Sequence, residues 1–246
     1  MGLVSVAAIA SSAGDAEVPI PNEHDDGQTR ILEYKVRLLG LPVGARSVIK
    51  IDRSGEYHVV SNLLSSLFVE NRHTSEFTMS QCDFMQVKYN NSGNVLNWKF
   101  NDNVEFDWNR RKIRYSGDED EIYFDFGDET FVDKLSQYGV IECRLRDGQD
   151  NFILSYVDNT VAHYRFEVIG KETVKTPVRD FDAVLLVSTP VERKKDTIHD
   201  SVQYWLAPEL GYYPLKIESK VMGLTFTVSL NKIVSEMEGS LAEPTW

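Results

Sequence analysis

The sequence is short of basic residues. Its 26 Lys and Arg stand against 38 Asp and Glu in 246 residues, giving a formal net charge of −12 and a pI near 4.9. A phosphate backbone needs clustered Lys and Arg to displace its counterions, so a nucleic-acid partner is excluded. No apolar run approaches the roughly 18–20 residues that cross a bilayer as a helix, so no transmembrane span is expected. Cysteine is nearly absent. Cys82 and Cys143 are the only two, and without a C-x-x-C pair a zinc knuckle or thioredoxin-like site is out. We expect two buried free thiols, with one disulfide across a long loop as the alternative. The GxSxG, HExxH, P-loop and GxGxxG patterns are also missing. His24, His58, His73, His163 and His199 are scattered, none at metal-ligand spacing to another. No catalytic residue, metal or cofactor is therefore expected.

What is present suits a stable globular chain. Hydrophobic residues make up 42% and aromatics 11%, and a chain of this length buries a core without staples. Leu3 to Ala10 is a short apolar run followed by Ser11, Ser12, Ala13 and Gly14. That matches the h-region and cleavage zone of a secretory signal peptide, without the basic n-region; a frayed apolar end is the alternative. We divide the chain into a signal-peptide remnant at 1–16, a flexible acidic linker at 17–29, one β domain at 30–231 and a C-terminal tail at 232–246. The linker's Glu23-His24-Asp25-Asp26 reads as a solvated tail, since a metal site needs fixed geometry.

From Arg30 apolar and polar residues alternate. Leu32, Tyr34, Val36 and Leu38 share one face, as do Ala162, Tyr164, Phe166 and Val168, and again Leu224, Phe226, Val228 and Leu230. Polar turns are expected at Gly40–Gly44, Asp52–Gly55, Asn90–Asn94, Asn101–Asn103 and Asn109–Arg111. Strands every ~8–12 residues with such turns are the pattern of an antiparallel meander, sandwich or barrel. The acids between Gly117 and Glu129 flank a strand at Ile122–Phe126 and read as a solvated hairpin tip rather than a calcium loop. One helix is expected over Asp128–Gly148, capped by Asp128 and stopped by Gly148, with Gly139 weakening its middle.

The densest aromatic stretch runs from Gln203 to Ile217, a strand, a corner carrying Pro208 and Gly211, and a returning strand. Pairing Leu206 with Tyr213, Tyr204 with Leu215 and Val202 with Ile217 puts apolar against apolar. The other face then carries His199, Ser201, Gln203 and Trp205 beside Pro214, Lys216 and Glu218. A tryptophan among polar side chains suits a carbohydrate or a lipid headgroup. Trp205, Gln203, His199, Pro214 and Lys216 are thus the binding candidates. The alternative is that a second layer or the helix covers Trp205.

Several landmarks together resemble domain-of-unknown-function family 3108. They are Tyr34-Lys35-Val36 with Gly40-Leu41-Pro42-Val43-Gly44, then Phe106-Asp107-Trp108, Gly170-Lys171-Glu172, and Trp205-Leu206-Ala207-Pro208 with Gly211 and Pro214. The resemblance covers roughly Arg30 to Asn231. It implies an exported bacterial envelope protein located in the periplasm. The implied fold is mainly β, an antiparallel curled sheet or open β-barrel or sandwich with one α-helix. It brings no activity, cofactor or catalytic residue. On these grounds we expect a non-enzymatic binding or carrier protein, its ligand a lipid or polysaccharide of the envelope. A scaffold that binds another envelope protein through a sheet edge is the alternative, and an unrecognised hydrolase comes third.

Overall fold

The computed structural model describes residues 29–67, 69–95, 98–117, 121–192, 199–221 and 224–236. The signal-peptide and linker expectations lie outside the described residues, as does the chain beyond Glu236. The first half of the chain contributes β1 (Thr29–Leu38), β2 (Leu41–Ser54), β3 (Tyr57–Ser65), β4 (Val69–Ser80), β5 (Asp83–Val95), β6 (Trp98–Asp107), β7 (Lys112–Ser116) and β8 (Glu121–Asp125). A two-residue β9 (Phe131–Val132) and helix α1 (Gln137–Arg146) follow. The second half adds β10 (Asn151–Val157), β11 (Val161–Lys175), β12 (Asp180–Pro190), β13 (His199–Ala207), β14 (Tyr213–Val221) and β15 (Leu224–Glu236). Where the sequence suggested a tail, β15 instead continues past Asn231 and pairs Thr29 of β1 with its Glu236.

All fifteen strands belong to one sheet, ordered β8-β7-β6-β5-β4-β3-β2-β1-β15-β14-β13-β12-β11-β10-β9. Every pairing is antiparallel except the short β9–β10 ladder. The two edges, β8 and β9, are joined only by residues 126–130, which reach no further than about 20 Å even when extended. The sheet must therefore curl until its edges approach, and they do so without pairing. Aromatic side chains fill the seam. Phe126 and Phe131 lie 5.8 Å apart, and Phe106 and Trp108 stack at 6.3 Å beside them. This seam core also holds Ile113 and Val104 from one edge and Val157 from the other.

Two polar turns expected from the sequence are absent. Asn90–Asn94 lies within β5 and Asn101–Asn103 within β6. Across the ladder Asn90 Nδ2 donates to Oδ1 of Asn101 at 2.9 Å and of Asn103 at 2.8 Å. Gly93 is required by close approach, since a Cβ there would stand 2.5 Å from the Glu70 carbonyl oxygen.

The curl wraps one helix. It is shorter than expected and begins at Gln137, with Ser136 at its N-cap and no side-chain cap; Asp128 does not cap it, and Asp133 instead holds the turn before it. Asp128 is exposed and pairs with Arg111 at 3.2 Å. Asp133 Oδ1 accepts the backbone N–H of Leu135 at 2.6 Å and of Ser136 at 2.9 Å. Its Oδ2 accepts the Ser75 hydroxyl at 2.6 Å and Gln86 Nε2 at 2.8 Å. One buried carboxylate thus joins the turn before the helix to β4 and β5. Burial pushes its pKa up, against those hydrogen bonds. Gly139 fits because a Cβ there would stand 3.2 Å from the Met79 sulfur. Tyr138 packs on Tyr213 with ring centres 5.3 Å apart, and Gly148, at φ +74°, ends the helix as expected.

The expectation of free thiols is corrected. Cys82, in the β4–β5 turn, and Cys143, near the end of α1, form a disulfide with Cα atoms 5.5 Å apart. Curling brings these turns together, a proximity that spacing along the chain does not reveal.

The antiparallel order gives the curled sheet two unlike ends. At one end lie the helix C-terminus, the disulfide and the corner at Pro208–Leu210, where Arg179 Nη2 meets Glu209 Oε2 at 2.6 Å. At the other lie the strand ends Leu38 and Leu41, Ser65 and Val69, Val95 and Trp98, Val157 and Val161, and Val221 and Leu224. The first end is closed by α1. The second is open.

Three predictions follow from this packing. Asp133→Ala removes the acceptor of the Leu135 and Ser136 N–H groups and the Ser75 hydroxyl, while Gln86 Nε2 keeps the Glu76 and Lys88 carbonyls, and it should cost about 3 kcal/mol in urea unfolding, orphaned donors being expensive; a loss under about 1 kcal/mol would contradict the role assigned to it. The bridge closes a loop of 61 residues; the Cys82→Ser/Cys143→Ser double variant should lose up to about 4 kcal/mol by chain entropy, read from the same unfolding curves. Burial lowers His58 and His73 from 6.5 to about 4, with Arg53 beside the first and Lys134 beside the second adding to it. The unfolded chain then binds more protons between about pH 4 and 6.5, so stability falls as pH drops through that window. Replacing both histidines with Asn should flatten the urea midpoint between pH 6.5 and 5, and an unaltered slope would refute the assignment.

Candidate functional site

The space left inside the curl is set by where the helix stops. α1 fills the closed end, and Lys134 of its preceding turn and its own first residue, Gln137, face the open end. A pocket of about 430 Å3 lies above them, walled by Tyr156, Ala162, Tyr164, Val202 and Tyr204. These side chains come from β10, β11 and β13 at alternating positions, so the sequence alternation of Ala162 and Tyr164 did mark an inner face. The pocket reaches the β10–β11 turn at Asp158, Asn159 and Thr160, which places its mouth at the open end.

Its floor is fixed by hydrogen bonds. The Tyr156 hydroxyl donates to Gln137 Oε1 at 2.8 Å, and Gln137 Nε2 donates to the Lys134 carbonyl at 2.8 Å. Tyr156 and Tyr164 meet edge to face with ring centres 5.3 Å apart. Burial pushes the Tyr204 phenol up to about 12, so all three rings stay neutral and present apolar faces with hydroxyl tips. Lys134 and Asp158 supply the charged groups.

A second cavity, of about 200 Å3, shares Lys134 and is lined by Ile49, Leu135, Tyr138, Pro214, Ile217 and Val228, with His73 and Asn62 at its polar side. Tyr34 also lines it, and its buried hydroxyl lacks a hydrogen-bond partner among the described residues. His73 Nδ1 meets the Tyr89 hydroxyl at 2.5 Å. A third depression, about 400 Å3, lies where the β1–β2 ladder opens between Lys35 and Pro42.

The five residues singled out from the sequence do not form one surface. The strand pairing differs from the expected one. Tyr204 faces Ile217, Val202 faces Ser219 and Leu206 faces Pro214, because Leu215 is bulged between Pro214 and Lys216. The bulge keeps Tyr204 and Trp205 on opposite faces but moves Pro214 away from Trp205. Pro214 is buried and lines the smaller cavity. Trp205 pairs with Lys216 on the outer face, where the Lys216 ammonium sits 4.1 Å from the indole centre. The indole N–H donates to Glu172 of β11, and Lys216 is held by Glu218 at 2.9 Å. These contacts leave Trp205 only 8% exposed. Gln203 is half-buried on that outer side, opposite Glu218. His199 pairs with Val221 at the open end, and its side chain lies outside the described residues.

Sequence reasoning placed a carrier's ligand inside the curled sheet but missed Lys134 and Tyr156 as residues that line the pocket there. Lys134 was placed mid-helix, and the strand carrying Tyr156 had no clear alternation to mark it. Among the described residues no group of three His, Cys, Asp or Glu is placed to hold a metal ion. No described helix is long and apolar enough to cross a membrane.

Comparison with known proteins agrees with this geometry. A β-barrel-like protein of the DUF1849 domain of unknown function from Brucella abortus superposes with a TM-score of 0.57 at 9% identity, covering 86% of this chain and 99% of that one. It shares the fold. A Bacteroides fragilis protein described as exported, with a YmcC-like fold, aligns over 85% of this chain and 96% of its own at 11% identity, but its TM-score of 0.35 is too low to indicate a common fold. Comparison with curated proteins gives no match. The family model described as "Protein of unknown function (DUF3108)" matches residues 33–229, and the chain belongs to that family.

Proposed function

We propose that this protein is a non-enzymatic binding or carrier protein of the bacterial envelope, holding an amphiphilic lipid or a glycan-bearing molecule in the pocket above α1. The observation that carries this reading is the pocket itself. At about 430 Å3 it falls in the usual range for small-molecule sites. Its three tyrosine rings offer stacking surface to a sugar or an acyl chain, and Lys134 offers a charge to a polar head. The Cys82–Cys143 bridge supports folding in an oxidising compartment, as the periplasm is.

Hydrolysis has less support. Ser155 and His163 are hydrogen-bonded at 2.8 Å, yet Ser155 is only 2% exposed and among the described residues no carboxylate hydrogen-bonds His163. The edge-docking scaffold also has less support. The outer edges are a five-residue β8, whose Glu121 and Asp125 pair with Arg114 and Lys112, and a two-residue β9.

Native mass spectrometry of protein purified from its own envelope should show a non-covalent adduct of lipid or glycan mass. Ala162→Trp, which fills the pocket, should lose the adduct while keeping its thermal midpoint within a few degrees. No adduct on the unaltered protein, or one that survives in Ala162→Trp, would overturn the proposal.

A further inference from the structure

Among the described residues the four most exposed large apolar side chains, Leu67, Leu41, Trp98 and Leu39, lie at the open end of the sheet, while Tyr57, Met85 and Val178 are exposed toward the closed end. The three most exposed are Leu67 at 93%, Leu41 at 69% and Trp98 at 66%. With Leu39, Val43 and Leu224 they stand on four turns, β14–β15, β1–β2, β3–β4 and β5–β6, or within three residues of them. These turns are neighbours along the sheet order, so the residues form one arc of the rim rather than a scatter.

The arc differs from the rest of the chain in charge. Within three residues of these four turns stand the exposed cations Arg37, Lys99 and Lys220 and a single acid, Glu70. The molecule as a whole carries −12. Among the described residues none of these three cations is in an ion pair, whereas Arg111, Lys112, Arg146 and Arg179 toward the closed end all are. Three of the four tips thus set an apolar side chain ahead of, or beside, a free cation, and the β3–β4 tip with Leu67 stands beside Glu70. A lipid headgroup layer matches that order, with apolar tips reaching the acyl boundary and cations staying among the phosphates. A tryptophan at such a level is typical of membrane interfaces. Separate hairpin tips do not offer the contiguous, well-packed area that a stable protein partner needs.

We propose that the open end docks on an anionic lipid surface through Leu41, Leu67 and Trp98, with Arg37, Lys99 and Lys220 against its phosphates. The pocket mouth at Asp158–Thr160 lies at the same end, so docking brings it to the lipid. The proposal rests on the rim alone and survives whatever the pocket holds.

The test is flotation with vesicles of phosphatidylglycerol and phosphatidylethanolamine, and with pure phosphatidylcholine, at two salt concentrations. The unaltered protein should float with the anionic vesicles, less so at high salt and weakly with phosphatidylcholine. The triple variant Leu41→Ser/Leu67→Ser/Trp98→Ser should bind at least roughly tenfold more weakly, as lost apolar insertion predicts, with an unchanged thermal midpoint because these side chains are exposed. Tyr123→Ser/Ile169→Ser, which removes exposed apolar groups from the strand faces, should float normally. The pocket variant Ala162→Trp should also float, so a failed pocket and a failed rim are told apart. No flotation of the unaltered protein, or flotation undiminished in the triple variant, overturns the proposal. Sedimentation showing a dimer that the triple variant dissolves, without vesicle binding, overturns it in favour of self-association.

Discussion

A carboxylate buried inside the curl, Asp133, holds the architecture together. Its two oxygens accept from backbone N–H groups before α1 and from Ser75 and Gln86 on the sheet. A charge so placed is costly, and four donors are what make it tolerable. The arrangement fixes where the helix begins and which strands it lies against. The disulfide from Cys143 to Cys82 then pins the other end of the helix. Between these two anchors the helix closes one end of the sheet and leaves the other hollow.

The pocket follows from that placement. A fifteen-stranded sheet with an apolar inner face cannot stay open in water, and one ten-residue helix is too short to fill it. Tyr138, Ile141 and Val140 fill the closed half, packing with Phe77, Leu206 and Tyr213 in the main core. Among the described residues no second helix stands beyond Lys134, and Tyr156, Tyr164 and Tyr204 line open space. Pocket and fold therefore share one cause. The structural likeness to a β-barrel-like protein at 9% identity fits a fold defined by this curl rather than by particular residues.

Much of the strand framework could be read in the sequence. The alternation in β1, β11 and β15 is the direct imprint of a sheet with one buried face. It failed where polar residues find partners on another strand. Asn90 and Asn101 look like turn residues until the β5–β6 ladder lets their amides bond each other. Gly93 looks like a turn and is in fact a place where backbone passes close. The helix start was misjudged because Asp128 looks like a cap in sequence, whereas packing buries Asp133 in the turn ahead of a helix that begins at Gln137. At the corner, alternation correctly separated Tyr204 from Trp205, but the bulge at Leu215 could not be foreseen from apolar matching. Trp205 looked like an open platform, and Glu172, 33 residues away, closes it. The candidate site was the least legible part. A cavity is the absence of side chains, and no local pattern encodes it.

The central claim is that the pocket above α1 is a binding site. It is tested most directly by a crystal structure of the protein purified from its own envelope without refolding. The account predicts continuous non-protein density between Tyr156 and Tyr204, with its polar end near Lys134. Discrete waters alone in that space, or side chains collapsed to fill it, would contradict the account.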